Sequence, residues 1–409
     1  MPAPAPISAA PKGRPRLPSL TGLRFLAALM VFFFHTGLSN SPIPPNRPIN
    51  PFADEGVAHA YEWLFVKAGY LGVSFFFVLS GFVLAWAAKP GERTTAFLRR
   101  RLMKIFPNHL VVWVLAMLLF AGAMAPTAGW LSNLFLLHTF FPQPEINLSV
   151  NPPTWSLGSE LLFYLAFPLI IGPVRRIAER RLWFWSALMV AGTIAVQLVS
   201  TYLVPATPKS AITPVSDTQF WFGYLFPPGR LFEFVLGMLL ARIVLAGRWP
   251  RALGVLPSLA LTAAGYAAAW YVPFQYSFVA ATIVPIGALI SAVAVTDVEG
   301  RGGWLRSRVM VFLGEISFGF YLCQGIAIFW LRSLFEDTRF STPTGFLVIL
   351  GFLAVTLLGG WLLHTFVEQP AMRRWSRSRR RVTLPVPRPA AEDAPGAGRE
   401  PVHAPPAAR

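Results

Sequence analysis

The chain is poor in cysteine and in charged side chains. Its 409 residues include one cysteine, Cys323, which excludes an intramolecular disulfide and any paired-cysteine metal or redox motif. Cys323 lies in an apolar run, so we interpret it as an inert buried thiol. Only 13% of the residues are charged and 55% are hydrophobic, whereas about a quarter of a soluble domain is charged. This composition cannot build a surface that faces water, so the sequence predicts a protein solvated largely by lipid.

Acidic residues are scarcer than basic ones, 18 against 35, which gives a net charge of +17. In a soluble protein this excess would indicate nucleic-acid binding. Here the basic residues occupy short segments between apolar runs, and no basic patch is interleaved with aromatic residues. We therefore interpret the charge as a signal of membrane topology and expect no nucleic-acid partner.

Long apolar runs dominate the rest of the chain, and a spanning helix needs about 20 such residues. The first run is interpreted as a retained helix, because it is too long for a signal peptide and prolines follow it. A shorter run, 130–141, is interpreted as an interfacial or re-entrant piece. The fold class predicted is an all-α polytopic membrane bundle of about ten helices. The predicted spans are 20–39, 68–88, 105–125, 154–173, 182–203, 226–246, 253–271, 277–296, 308–331 and 344–368.

The charges between these spans predict the orientation. Alternate segments carry 25 lysines and arginines on one side and 5 on the other. Because basic residues favour the inner side, we expect a multi-pass protein of the cell membrane with both termini in the cytoplasm. Residues 1–18 and 376–409 are rich in proline, alanine and arginine and are predicted to be disordered. The membrane domain is therefore expected over residues 19–375.

The first span contains Arg24 and His35 in an otherwise apolar sequence. They are 11 positions apart, within about 20° of three whole helical turns, so both point from one face at heights about 16 Å apart. A histidine at this depth suits general-base catalysis. The alternative is structural: Arg24 reaches the inner headgroups, and His35 is a hydrogen-bonded packing residue.

Other ionisable residues lie near the ends of spans. Glu160 is followed by an apolar run and is expected to face the bundle. Arg230 and Glu233 are three apart and able to pair on one helix face. The basic stretch FLRRRLMKIFP (97–107) is predicted as an inner loop, with two interpretations. It is either a topology signal alone or an anion site, because arginines clamp phosphates through paired hydrogen bonds.

Several blocks of the sequence together resemble the membrane-bound acyltransferases of family three. The resemblance covers about residues 17–375 and includes the Arg24 to His35 spacing. The remaining blocks, in the order typical of that family, are GVSFFFVLSGFVLAW, FLRRRLMKIFP, TWSLGSELLFYLAFPL, RLFEFVLGMLLA, GEISFGFYL and VEQPAMRR. The chain departs from the family where Leu161 follows Glu160 and where Cys323 and Gln324 replace a frequent histidine.

The resemblance implies an O-acyltransferase that uses acyl-CoA from the cytoplasm as co-substrate, with no metal and no resident cofactor. It implies His35, Arg24 and Glu160 as catalytic residues. Donor-binding residues would be Arg99, Arg100, Arg101 and Lys104. Acceptor-binding or structural residues would be Ser80, Trp155, Ser156, Arg230, Glu233, Tyr321 and Glu368.

The acceptor implied is a hydroxyl of a small molecule or a glycan. The compact form looks like the macrolide and related antibiotic O-acyltransferases of actinomycetes, which favours antibiotic tailoring. The alternatives are O-acetylation of a cell-envelope glycan and, outside the enzymes, a transporter or flippase. A transporter predicts internal repeats, and we find none. Direct transfer is preferred to an acyl-histidine intermediate, because no serine or cysteine nucleophile is convincingly placed. The residues do not fix the acyl length or decide whether a homo-oligomer forms.

Overall fold

A computed structural model describes residues 14–43 and 46–375 of the protein. All regular secondary structure within these ranges is helical and no strand occurs in them, which confirms the all-α fold class. Most of the predicted disordered ends, 1–13 and 376–409, lie outside the described residues. Residues 14–17 lead into the first helix, and there Arg14 donates to the carbonyls of Ala85 and Trp86.

The main helices are α1 (Pro18–Thr36), α2 (Glu55–Phe65), α3 (Ala68–Ala87), α4 (Thr94–Ala116), α5 (Thr127–Leu134), α6 (Trp155–Arg176), α7 (Leu182–Tyr202), α8 (Pro227–Leu245), α9 (Val255–Ala268), α10 (Ile283–Val298), α11 (Arg308–Gln324) and α12 (Thr342–Leu362). Ten of these helices overlap the ten predicted spans, whereas α2 was not predicted and α5 overlaps the short run 130–141.

Wider π-helical turns extend some of these helices. They continue α4 over Met117–Ala121, α11 over Gly325–Trp330 and α12 over Leu363–Glu368, and a further one, Trp221–Leu225, precedes α8. Short α-helical pieces are Gly122–Met124, Pro144–Asn147, Asp217–Phe220, Phe274–Ser277, Leu331–Ser333 and Gln369–Trp375. Single 3-10 turns are His138–Phe140, Pro152–Thr154, Glu179–Arg181 and Trp304–Arg306.

In the described part of the chain, seven helical stretches are long and apolar enough to cross a membrane. The count of about ten is not confirmed and stays a prediction. The remaining predicted spans correspond to α8, α9 and α10. The helices α9 and α10 have 14 and 16 residues and are therefore about 21 and 24 Å long, less than a hydrocarbon core of about 30 Å. The helix α8 carries three ionisable residues, Arg230, Glu233 and Arg242.

The first turn of α1 is capped by a residue that is distant in the sequence, Asp297. Pro18 occupies the first helical turn, where its missing N–H is not needed. The carboxylate of Asp297, at the end of α10, accepts from the Ser19 backbone N–H at 2.8 Å and from the Ser19 hydroxyl at 2.6 Å. This cap satisfies N–H groups that a helix leaves unpaired at its beginning. It also sets the height of Arg24 and His35 relative to α10.

Helices α3 and α8 approach each other through two glycines. A Cβ atom at Gly81 would lie 1.8 Å from the Phe234 carbonyl oxygen, and one at Gly237 would lie 1.9 Å from that of Val78. No side chain larger than hydrogen fits at either position. Close backbone contact through small residues is a common way for helices to associate in lipid. The contact holds α8 against the outer side of α3, and α3 is one of the helices around the interior of the bundle.

Candidate active site

Three cavities follow one another along the inner face of α1. The first, of about 560 Å³, is lined by His35. The second, of about 50 Å³, shares Val73 and Tyr321 with the first. The third, of about 90 Å³, shares Arg24 and Glu160 with the second. We name them the His35 cavity, the neck and the Arg24 cavity. Together they lie side by side between the two predicted catalytic residues of α1.

His35 is held at the wall of the His35 cavity with little exposure, 8%. Its Nδ1 atom lies 2.6 Å from the side-chain oxygen of Gln324 on α11. The rings of Phe34 and Phe329 lie 5.1 and 5.2 Å from the imidazole, centroid to centroid. The imidazole is therefore fixed by one hydrogen bond and two aromatic contacts, at a cavity large enough for a ligand.

Aromatic rings form a large part of the wall of the His35 cavity. Its rings include those of Phe34, Tyr70, Trp155, Tyr224, Trp270 and Phe274. Trp155, a predicted site residue, packs on Tyr224 with ring centroids 4.8 Å apart. Residues 38–42 and 211–214, from two loops at the same end of the bundle, complete the wall. This lining suits a ligand with broad apolar faces and a few polar groups.

Lys67 is a cation in this aromatic wall. Its side chain is 8% exposed, and its ammonium donates to the Ser277 hydroxyl at 2.9 Å. The same ammonium lies over the rings of Trp270 and Phe274, at 5.4 and 4.8 Å from their centroids. Cation–π contacts stabilise a charge that burial would otherwise penalise. From the sequence, Lys67 counted only as a charge between two spans, yet it belongs to the cavity.

The Arg24 cavity brings together four of the predicted ionisable residues. Its lining includes Arg24, Ser80, Arg101, Lys104, Glu160 and Tyr164. The Tyr164 hydroxyl donates to the Glu160 carboxylate at 3.4 Å. Arg24, Arg101 and Lys104 all lie close enough to interact electrostatically with Glu160, and Lys104 also interacts with Glu368. The cluster thus holds three cations against two carboxylates.

The basic stretch 97–107 is helical, not a loop, because α4 begins at Thr94. The loop prediction is therefore wrong, and the helix separates the arginines onto different sides. Arg101 faces the Arg24 cavity, with its guanidinium 5.5 and 5.8 Å from the ring centroids of Phe97 and Tyr164. Arg100 instead pairs with Glu92, and Arg99 is exposed; neither lines the cavity.

The neck is narrow because aromatic rings and a hydrogen-bonded pair form its wall. Phe76 and Phe318 line both the neck and the Arg24 cavity. The hydroxyls of Ser156 and Tyr321 lie 2.9 Å apart, and the Tyr321 hydroxyl also donates to the Pro153 carbonyl at 3.0 Å. These contacts tie α6 to α11. Both predicted residues therefore lie on the connection between the two larger cavities.

Arg230 and Glu233 form the buried ion pair that their spacing predicted, with Nε and Oε1 3.0 Å apart and exposures of 2% and 1%. Arg230 also donates to the Ser74 hydroxyl at 3.1 Å, and it packs under the ring of Tyr224 at 4.9 Å. The pair lines none of the three cavities and supports their wall from behind.

Glu368 accepts from the Asn108 side chain at 3.3 Å and lies 3.6 Å from His364 Nδ1. It faces Lys104 without lining the Arg24 cavity.

Sequence reasoning missed Lys67, Tyr164 and the contact of Gln324 with His35. A signal existed for Gln324, since it stands where the resembling family often has a histidine. In the described ranges, no group of three His, Cys, Asp or Glu side chains is placed to hold a metal ion.

The sequence around these cavities matches a known protein family. The family described as Acyltransferase domain, of family three, matches residues 17–365. The chain belongs to this acyltransferase family. The resemblance seen in the sequence is therefore confirmed, as is its placement among integral membrane proteins. The matched range contains the three cavities and ends within the π-helical turn that carries His364.

The chain is also similar to individual proteins along most of its length. The chain is 39% identical to Acyltransferase MdmB of Streptomyces mycarofaciens over 93% of its own length and 97% of that protein. It is 26% identical to exopolysaccharide production protein ExoZ of Rhizobium meliloti, over 76% of this chain and 92% of the relative. It is 22% identical to peptidoglycan O-acetyltransferase OatA of Listeria monocytogenes, covering 87% of this chain and 56% of that protein. No solved structure matches the chain.

Proposed function

We propose that this membrane acyltransferase moves an acyl group from acyl-CoA to a hydroxyl of a macrolide-like polyketide or its sugar. The observation that carries the proposal is the row of cavities along α1, with a cation cluster at one end and a buried histidine at the other. A phosphate-rich donor with a thin thioester arm has complementary charge and shape to this row.

The donor's phosphates would bind at the Arg24 cavity. Arg24, Arg101 and Lys104 carry one positive charge more than Glu160 and Glu368 neutralise. An excess charge that is half withdrawn from water is costly, and an anion offsets that cost. Guanidinium groups hold phosphate oxygens through paired hydrogen bonds. The pantetheine arm would then have to pass the neck, whose volume of about 50 Å³ is too small for a nucleotide.

The reaction would take place at His35. The imidazole takes the proton of the acceptor hydroxyl while the hydroxyl oxygen attacks the thioester carbonyl. The new C–O bond forms, the C–S bond breaks, and the proton passes to the CoA sulfur to give a free thiol and an ester. The aromatic wall limits water at the thioester, which suppresses hydrolysis. Direct transfer of this kind needs no serine or cysteine nucleophile, since the acceptor oxygen itself attacks the carbonyl.

The acceptor would occupy the His35 cavity. A volume of about 560 Å³ lies within the range of about 300–1,000 Å³ typical of small-molecule sites. Its aromatic rings suit the apolar face of a polyketide or a deoxysugar better than a strongly hydrated glycan. The identity of 39% to Acyltransferase MdmB over nearly the whole chain supports the acyl transfer itself.

The test is transfer by the purified full-length protein. It is incubated with acetyl-, propionyl- or isobutyryl-CoA and a macrolide that has a free sugar hydroxyl, and products are read by mass spectrometry. We expect a mass gain of one acyl group, lost in His35→Ala and kept in His59→Ala, whose histidine lies on α2 and lines none of the three cavities. Activity of His35→Ala within a few-fold of wild type would remove the histidine from the mechanism.

A cell-envelope glycan is the second candidate acceptor, supported by the 22% identity to peptidoglycan O-acetyltransferase OatA. It predicts acyl transfer to a glycan oligosaccharide and none to the macrolide in the same assay. A transporter or flippase predicts no product with either acceptor. It also predicts that the protein does not raise the rate at which free CoA thiol is released from acyl-CoA.

A further inference from the structure

Gln324 is buried in the bundle interior and contacts His35, which lies 289 positions away in the sequence. Its side-chain oxygen is 2.6 Å from the Nδ1 atom of His35. Its side-chain nitrogen is 3.4 Å from the carbonyl oxygen of Ala28, two turns below His35 on α1. A carbonyl oxygen can only accept, so the nitrogen of the amide must be the group that faces Ala28. The oxygen of the amide is therefore the group that faces the imidazole.

This orientation determines the protonation of the histidine. Because an amide oxygen only accepts hydrogen bonds, Nδ1 of His35 must carry a proton and donate it. In a neutral imidazole the other nitrogen, Nε2, then has the free lone pair. The hydrogen bond of one ring nitrogen thus selects the tautomer and fixes the plane of the ring. A general base needs both, since its accepting nitrogen must point at the proton to be removed.

We infer that Gln324 is a positioning residue for the acyl transfer, which selects the His35 tautomer whose Nε2 accepts the proton of the acceptor hydroxyl. The inference rests on the proposed function, in which His35 is the base. Gln324 itself lines neither the His35 cavity nor the neck and touches no substrate. Its effect is therefore expected on the chemical step and not on the binding of either substrate.

Three substitutions separate this effect from a structural one. Gln324→Leu removes the acceptor while keeping a side chain of similar size. Gln324→Asn keeps an amide but withdraws its oxygen by about 1.5 Å, one C–C bond. Gln324→Glu keeps an oxygen that accepts from Nδ1. The matched control is Gln197→Leu, because Gln197 is also buried at 1% exposure and donates to a backbone carbonyl, that of Gly223, at 2.8 Å.

The experiment measures kcat and both KM values of the full-length variants with the acyl-CoA and acceptor used above, together with their thermal stability. A general base contributes about 10²–10⁴-fold, which bounds the effect. We expect Leu and Asn to lower kcat by about tenfold to a thousandfold with both KM values within threefold, and Glu to remain within tenfold of wild type. Gln197→Leu should leave kcat within threefold and show only a loss of thermal stability.

The inference is overturned if folded Gln324→Leu or Gln324→Asn keeps kcat within threefold, or if Leu, Asn and Glu lose activity equally. If Leu does not fold, the comparison of Asn with Glu decides, because both keep a polar group in the buried position. An active His35→Ala would instead defeat the proposed function itself, so the two failures are distinguishable.

Discussion

Arg101 allows a sharp test of donor binding, because the same helix provides its control. Its guanidinium lies in the Arg24 cavity between Phe97 and Tyr164, whereas Arg99, two positions earlier, is exposed on another side of α4. The perturbation is Arg101→Ala compared with Arg99→Ala. Both substitutions remove one positive charge from the same turn of α4. Any general effect of that charge on topology or lipid binding should therefore be the same in the two variants.

The expected magnitude follows from the hydrogen bond to phosphate that Arg101→Ala removes. A hydrogen bond to a charged group contributes about 1.5–3 kcal/mol, and about 1.4 kcal/mol corresponds to a tenfold change in affinity. We expect Arg101→Ala to raise the acyl-CoA KM by about tenfold to a hundredfold. A phosphate contact is made equally in the ground and transition states, so kcat should change little. The acceptor KM should be unchanged, because the acceptor cavity lies beyond the neck.

The assay is initial-rate kinetics in which acyl-CoA is varied at saturating acceptor, at low and at raised ionic strength. Salt should weaken the donor in wild type more than in Arg101→Ala, because part of the electrostatic attraction is already gone. Arg99→Ala should behave as wild type at both salt concentrations. An equal rise in donor KM for both variants, or a rise for Arg99→Ala alone, would refute the assignment of the phosphates to the Arg24 cavity.

Three further predictions concern the scaffold. Reporter fusions after residues 48, 178, 210 and 380 should read outside, inside, outside and inside, and one exchanged reading would contradict the ten-span topology. Glu233→Leu should destabilise the fold by about 3–5 kcal/mol, because it leaves the charge of the buried Arg230 uncompensated. Denaturation in detergent should show that the double variant Glu233→Leu with Arg230→Met recovers part of this stability. No recovery would mean that the two residues are not coupled. Gly81→Ala should lower the midpoint of thermal unfolding, because the new Cβ would lie 1.8 Å from the Phe234 carbonyl oxygen. The control Gly351→Ala should leave the midpoint unchanged, because its Cβ meets nothing within 4 Å. Equal midpoints for the two variants would show that α3 and α8 can separate at no cost.

The sequence predicted the helices well where hydrophobicity alone decides them. The first span, 20–39, corresponds to Pro18–Thr36, and the fourth, 154–173, corresponds to Trp155–Arg176. The loop prediction for Arg99, Arg100 and Arg101 is wrong. Hydropathy detects only the apolar part of a helix. Arginine lowers the hydropathy of a segment, but its helix propensity is as high as that of leucine or methionine. The helix therefore extends beyond its apolar part, to Thr94.

The site was predicted only in the parts that one segment determines. The common face of Arg24 and His35 follows from helical geometry, and so does the pairing of Arg230 with Glu233. The contact of Gln324 with His35 and the place of Lys67 in the aromatic wall depend on how distant segments pack. No local pattern encodes these contacts, because the same residues at the same spacing would satisfy other packings equally well.

The narrow neck has a consequence for the energy supply of the cell. A row of cavities that runs through a bilayer is a potential path for protons and small ions, and a cell that stores energy as an ion gradient is harmed by such a path. The rings of Phe76, Phe318 and Tyr321 line the neck, which is the smallest of the three cavities. In the proposed reaction, the rings that would restrict the donor to a thin arm would also resist the leakage of ions, so two opposed demands would act on the width of the neck: passage of the substrate and tightness of the membrane.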